Sequence, residues 1–149
     1  MKVKIKKLVD SAVLPFKKYN EDYCCDVTAI SEEEIAPNVW KYGIGLSFQI
    51  ERDYMYRTPK TLLSIDFRSR SSIWKTGMVL SNSVGTIDEI YTGEVSAVFY
   101  HLMLNMPRYK VGDRIGQIKI GLSPIIEFEQ VKELSETERG VNGYGSTGL

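Results

Sequence analysis

Short runs of alternating apolar and polar residues recur along this chain, rich in β-branched and aromatic side chains and bounded by turn formers. Such runs predict strands. They fall at residues 42–50, 61–67, 77–80, 94–103, 114–120 and 125–131. The opening Met1-Lys2-Val3-Lys4-Ile5-Lys6-Lys7 alternates too, and reads as a half-exposed strand. In the run at 94–103, Val95, Ala97 and Phe99 alternate with Ser96, Val98 and Tyr100, so both faces there are partly apolar. Val111-Gly112-Asp113-Arg114 reads as a tight turn entering a strand. No long segment keeps the helical period, and the best helix is a short turn near Ser71–Lys75. Glu32-Glu33-Glu34 before Ile35-Ala36-Pro37 reads as an acidic loop with a solvated face. Many short strands with little helix predict an all-β sandwich or jelly roll.

Composition narrows the classes. At 149 residues the chain is one domain's worth, long enough for a real core. Lys+Arg and Asp+Glu number 19 each, so the global basic field of a nucleic-acid binder is missing. No apolar run approaches the roughly 20 residues that span a bilayer, and the lysine-rich start lacks a signal-peptide apolar region. Cys24 and Cys25 are the only cysteines. Sequence neighbours rarely bridge, which points to packed thiols in a reduced, cytoplasmic setting. His101, the only histidine, follows an apolar strand run and reads as a packing or interface residue.

Four polar constellations carry candidate chemistry. The last eleven residues, Arg139-Gly140-Val141-Asn142-Gly143-Tyr144-Gly145-Ser146-Thr147-Gly148-Leu149, have almost nothing to bury. Glycines let backbone N–H groups approach an anion, hydroxyls and Arg139 add donors, and Tyr144 offers a flat face for a base. This segment reads as a mobile tail closing over a phosphorylated ligand. Arg68-Ser69-Arg70-Ser71-Ser72 packs two guanidinium groups and three hydroxyls, either as a capped surface turn or as a phosphate cradle. Gly85-Thr86-Ile87-Asp88-Glu89-Ile90-Tyr91-Thr92-Gly93-Glu94 has the shape of a β-hairpin with a carboxylate near its turn. Gly112-Asp113-Arg114-Ile115-Gly116-Gln117 is at least a turn plus a strand, and Asp26 is a charged anomaly in an otherwise apolar stretch.

Taken in order, these pieces resemble the five motifs of the trimeric dUTPase family, which cleaves dUTP to dUMP and pyrophosphate. Cys25-Asp26-Val27 matches the first, Arg70-Ser71-Ser72-Ile73 the second, the run from Gly85 to Glu94 the third, Gly112 to Gln117 the fourth, and Arg139 to Gly148 the fifth. The resemblance is detailed from about Asp66 to Leu149 and thin over residues 31–60. There are departures. Glu21-Asp22-Tyr23-Cys24-Cys25 replaces the usual small residues and tyrosine before the first aspartate. Ser69 stands where a proline is common, Gly116 where alanine is frequent, and Tyr144 where phenylalanine is frequent.

The resemblance implies a dUTPase-like distorted jelly roll, or β-clip, over residues 1–138, with 139–149 as the closing tail. It implies a homotrimer with shared sites and no nucleic-acid or membrane partner. The first, second and fourth motifs come from one chain, the third from another, and the tail from the third chain. Asp88 is then the general base that activates water for attack on the α-phosphorus, and it also holds the 3′-hydroxyl. Tyr91 lies against the sugar and leaves no room for a 2′-hydroxyl. Asn82 and the hairpin backbone over 81–85 read the uracil edge, with Gly85 and Ile87 among the substrate contacts. Arg70, Ser71, Ser72 and Gln117 take the phosphates. Arg139, Gly143, Gly145, Ser146 and Thr147 close from the tail while Tyr144 stacks on uracil. Asp26 reaches a Mg2+ ion through water. Two other readings stay open: a dCTP deaminase, with Glu89 as the acid near the pyrimidine, and a dUTP-sensing regulator that uses the surface over residues 31–60.

Overall fold

The computed structural model describes residues 1–52, 61–141 and 143. Its strands are β1 (Lys2–Lys7), β2 (Cys25–Thr28), β3 (Ser31–Ala36), β4 (Val39–Gly43), β5 (Leu46–Glu51), β6 (Thr61–Arg68), β7 (Met78–Leu80), β8 (Val84–Asp88), β9 (Ser96–His101) and β10 (Arg114–Pro124). The helical element among the described residues is a single 3-10 turn, Ser71–Lys75. Two four-stranded antiparallel sheets form, in the orders β2-β10-β6-β8 and β3-β4-β9-β7, and β1 pairs with β5 alone. The all-β expectation therefore holds.

Alternation explains why these segments are strands. In β6, Leu63, Ile65 and Phe67 are buried while Leu62, Ser64, Asp66 and Arg68 take the other face. In β9, Ala97 and Phe99 point inward as the pattern predicts. The two sheets meet through Phe67 and Phe99, whose rings lie edge to face with centroids 6.3 Å apart. Phe99 also meets Tyr42 at 5.9 Å and Tyr109 at 5.5 Å. Each such pair adds about 0.5–1.5 kcal/mol beyond burial. The Tyr42 hydroxyl, deep in this cluster, donates to the Tyr109 carbonyl at 2.8 Å and is not orphaned.

Several segments depart from their sequence patterns, each for a local reason. The run at 42–50 is two strands, not one. The chain breaks at Gly45, whose φ of 65° requires glycine, and whose N–H donates to the Glu94 carboxylate at 2.9 Å. The acidic run at Glu32 to Glu34 is not a loop but part of β3. Its first carboxylate turns to Arg108, which donates to it at 3.1 Å and stacks 3.5 Å over the Trp40 ring. This partner is distant in sequence, so the run looked solvated. Residues 125–131 form no strand, and Ile125, Ile126, Phe128 and Val131 are exposed. A strand needs a partner edge, and a single copy offers this segment none. The stretch at 85–94 is not a β-hairpin either. β8 joins the β6 sheet and β9 the β4 sheet, so the chain crosses between layers there. Residues 81–85 likewise link β7 in one sheet to β8 in the other.

Around β1 the lysines dominate. Lys2, Lys4, Lys6 and Lys7 are exposed on its outer edge, and only Val3 packs toward the core. Cys24 and Cys25 are free thiols, and burial raises the Cys25 pKa. Among the described residues no helix is long and apolar enough to cross a membrane.

Gly116 has a steric role that sequence could not show. It sits beside an irregularity in the β10–β2 register, and a Cβ there would lie 2.1 Å from the tip of the Phe67 ring. The smaller residue makes room for the aromatic contact between sheets. Gly116→Ala should therefore lower stability by about 1–3 kcal/mol through overpacking, read as a lower urea midpoint. Adding Phe67→Leu should recover part of that loss. A Gly116→Ala midpoint equal to the parent's would show that the ring has space to spare.

Candidate functional site

The candidate residues fall into two groups on the β2-β10-β6-β8 sheet. The first surrounds a cavity of about 320 Å³ where the chain crosses between layers. Asn82, Gly85, Ile87, Asp88 and Tyr91 all line it, with Phe67, Leu80, Ser81, Glu94 and Val95. Asp88 ends β8, and the following turn closes when the Tyr91 N–H donates to the Asp88 carbonyl at 2.9 Å. Among the described residues no side chain pairs with the Asp88 carboxylate. The Tyr91 ring folds back over Gly93, where a Cβ would lie 2.5 Å from the tyrosine oxygen. Its hydroxyl donates to the Glu94 carbonyl at 3.0 Å. Gly93 therefore fixes how the ring faces the cavity. Ser83, at φ 58°, bends the chain just before Gly85, where the Phe67 Cβ and the Asn82 amide lie close to the glycine.

The second group is polar and charged. Asp26 accepts from Arg70 Nε at 3.2 Å and from Arg114 Nη1 at 3.0 Å. Arg70 also donates to the Ser72 hydroxyl at 3.5 Å. Gln117 is paired with Asp26 across β10 and β2, and its side-chain amide donates to the Ser69 carbonyl at 3.2 Å. Ser71 and Ser72 open the 3-10 turn that follows Arg70. A cavity of about 340 Å³ beside this cluster is lined by Phe16, Asp22, Asp26 and Gln117 among others. Two guanidinium groups, two hydroxyls and an amide around one carboxylate form a donor-rich surface suited to phosphate oxygens.

A single chain does not bring the two groups together. Gln117 pairs with Arg68, and Arg68 with Val84, so these residues share one row across three strands. Asp88 lies four residues further along β8. Strand spacing and rise put the Gln117 and Asp88 backbones roughly 16 Å apart.

Of the tail, Gly140 sits in a turn, its N–H donating to the Thr137 carbonyl at 3.0 Å, and Arg139 and Gly143 are exposed. Tyr144, Gly145, Ser146 and Thr147 lie outside the described residues.

A family model described as dUTPase matches residues 50–148, about two thirds of the chain. The chain is 36% identical to the deoxyuridine 5′-triphosphate nucleotidohydrolase of Nautilia profundicola, with 99% of each covered. It is 31% identical to the enzyme of that name from Clostridium novyi, with 100% of each covered. This chain belongs to the dUTPase family. Solved dUTPases share the fold. The Staphylococcus bacteriophage 80alpha dUTPase with dUPNHPP superposes at TM-score 0.81, at 21% identity over 99% of both chains. A mutant dUTPase of phage phi11 of S. aureus, described with a structural Mg(II) ion, gives 0.70 at 17% identity over 91% of this chain and 100% of its own. The dUTPase-like jelly roll expected from the motifs is therefore the fold.

Against the dUTPase motifs, sequence reasoning passed over Arg114 as a contact residue. It lies inside the fourth motif, yet only the antiparallel pairing of β10 with β2 sets it beside Asp26. Glu94 was likewise a motif letter, and its carboxylate proves to cap the Gly45 break. His101 lies with its Nε2 3.0 Å from the Met106 carbonyl.

The candidate metal ligand is Asp26. Among the described residues no three His, Cys, Asp or Glu side chains converge, which rules out an all-protein cage there. Magnesium takes most of its ligands from phosphate and water and asks for one or two carboxylates. Asp26, about a fifth exposed, fits that smaller demand.

Asp26→Ala would leave Arg70 and Arg114 without their shared anion. A loss of about 1–3 kcal/mol in urea unfolding is expected, with Asp26→Asn intermediate. An unchanged midpoint in Asp26→Ala would show that the cluster contributes no stability.

Proposed function

We propose that this protein hydrolyses dUTP to dUMP and pyrophosphate, with Asp88 as the base that draws a proton from the attacking water. The observation that carries the reading is the cavity of the crossing segment. There an unpaired carboxylate, a tyrosine ring and the Asn82 amide converge in a chain of the dUTPase family. The dUpNHpp bound by the phage 80alpha enzyme supports a ligand of dUTP shape for this fold.

Each residue has a task that follows from its chemistry. Asn82 and the backbone around Gly85 and Ile87 take the uracil edge, so cytosine would leave buried polar groups unpaired. Tyr91, braced over Gly93, packs against the deoxyribose and excludes a 2′-hydroxyl. Asp88 holds the water in line with the α-phosphorus and accepts its proton. Arg70, Ser71, Ser72 and Gln117 bind the phosphates. Magnesium, when bound, offsets triphosphate charge, and Asp26 would hold it through water. Binding at the phosphate cluster requires Arg70 to exchange its Asp26 contact for phosphate oxygens.

The separation of the two groups supports a shared site. A base must come within about 3 Å of the proton it takes, yet Gln117 and Asp88 are backbones apart by roughly 16 Å. One copy would supply the phosphate cluster and a second the Asp88 cavity. The exposed Ile125, Ile126, Phe128 and Leu134 give the chain apolar surface to bury in such a homotrimer. Residues 1–138 form the β domain. The tail from Arg139 through Gly143 to Thr147 closes over the nucleotide, Tyr144 on the base. The reaction supplies dUMP and, by removing dUTP, keeps uracil out of DNA. Glu89, the acid of the deaminase reading, is engaged by Arg52.

Incubation with dUTP or dCTP plus magnesium should yield pyrophosphate from dUTP and no ammonia from dCTP; ammonia would establish the deaminase instead. Asp88→Asn should keep nucleotide affinity and lose kcat by about 10²–10⁴-fold. Near-normal turnover would remove Asp88 as the base.

Deleting residues 139–149 should leave the oligomer intact by sedimentation and lower kcat by about 10-fold or more. Unchanged kcat would show that the tail is no lid.

A further inference from the structure

The turn that carries Asp88 and Tyr91 has little to hold it. Among the described residues β8 is the outer strand of its sheet and pairs with β6, the last pair being Asp88 opposite Ser64. Beyond that pair the chain leaves the ladder. Ile90 is 90% exposed, so apolar burial does not anchor the turn.

Glu89 does. Its carboxylate accepts from Arg52 Nε at 2.6 Å and from Arg52 Nη2, a two-pronged pairing, and from the Leu63 N–H at 3.4 Å. The same guanidinium donates through Nη1 to the Thr61 carbonyl at 2.9 Å. One arginine thus ties together the end of β5, the start of β6 and the turn after β8. A planar fork fixes orientation as well as distance, which a lysine could not do. Both side chains are about four fifths buried, at 23% and 21% exposed. The outer pair Lys4–Glu51, at 60% and 42%, is the kind of contact that solvent screens. The second position of such a turn tolerates most residues, so the turn itself does not require this glutamate. Glu89 is fastened to Arg52 and to the Leu63 N–H, while its sequence neighbour Asp88 lines the cavity.

We infer that the Arg52–Glu89 pair is a positioning device that holds the Asp88–Tyr91 turn in its reactive placement. This rests on the dUTPase reading above. Misplacement of a reacting group by about 1 Å can cost on the order of 100-fold in rate, so the pair acts on kcat through its neighbour.

The test uses the full-length protein with Glu89→Gln, Arg52→Lys and the exchanged double variant R52E/E89R. Two readouts are followed: steady-state dUTP hydrolysis, and hydrogen exchange at the Tyr91 amide, which bonds the Asp88 carbonyl. The single variants should lower kcat by about 10- to 100-fold with KM changed far less. Exchange at Tyr91 should quicken by about 10-fold or more while the Phe99 amide stays protected. The exchanged pair should regain much of both. A kcat within about twofold of the parent in Glu89→Gln overturns the proposal, whatever the exchange shows. So does a fall in kcat with unchanged exchange at Tyr91, or an exchanged pair no better than the singles. If the parent protein itself fails to hydrolyse dUTP, the functional reading fails, and exchange at Tyr91 still decides whether the pair holds the turn.

Discussion

The edge-to-face contact of Phe67 with Phe99 is where this structure is decided. It joins the two sheets, and it has room because Gly116 offers no side chain to block the Phe67 ring. Phe67 then serves a second purpose. Its β6 position pairs with Gly85 on β8, and it forms a wall of the Asp88 cavity. Core packing and the Asp88 cavity therefore share one side chain. The pocket inherits the rigidity of a close-packed interior.

The same sheet separates the chemistry. Asp26, Arg70, Arg114 and Gln117 gather where β2 and β10 meet the end of β6, whereas Asp88 stands at the far end of β8. A site divided in this way would make activity depend on association. The paired arginines on Asp26 fit this arrangement. Asp26 keeps the two cations in order through their hydrogen bonds to its carboxylate.

Much was legible in the sequence, for identifiable reasons. Strands with clean alternation, such as β6 and β9, announced themselves, and so did the short turn at Ser71–Lys75. Asp88, Tyr91, Asn82, Gly85 and Ile87 lie within ten residues of one another, so local order alone put them in one cavity. What stayed hidden depended on distant partners. Glu32 was read as solvated because Arg108 is 76 residues away. The segment from Gly85 to Glu94 looked like a hairpin because nothing local reveals that its two arms enter different sheets. The alternating stretch at 125–131 has strand character but no edge to join within one copy. Arg52, Arg114 and the room left by Gly116 emerge only once pairings between remote strands are known.

The lysines of β1 bear on how copies of this molecule avoid each other. A bare strand edge is a template for fibril growth. Here the edge bristles with ammonium groups from Lys2, Lys4, Lys6 and Lys7. Stacking two such edges would crowd like charges at β-ladder spacing, a repulsion that discourages runaway polymerisation. The charge along β1 thus keeps one flank of the molecule forbidding to its own kind.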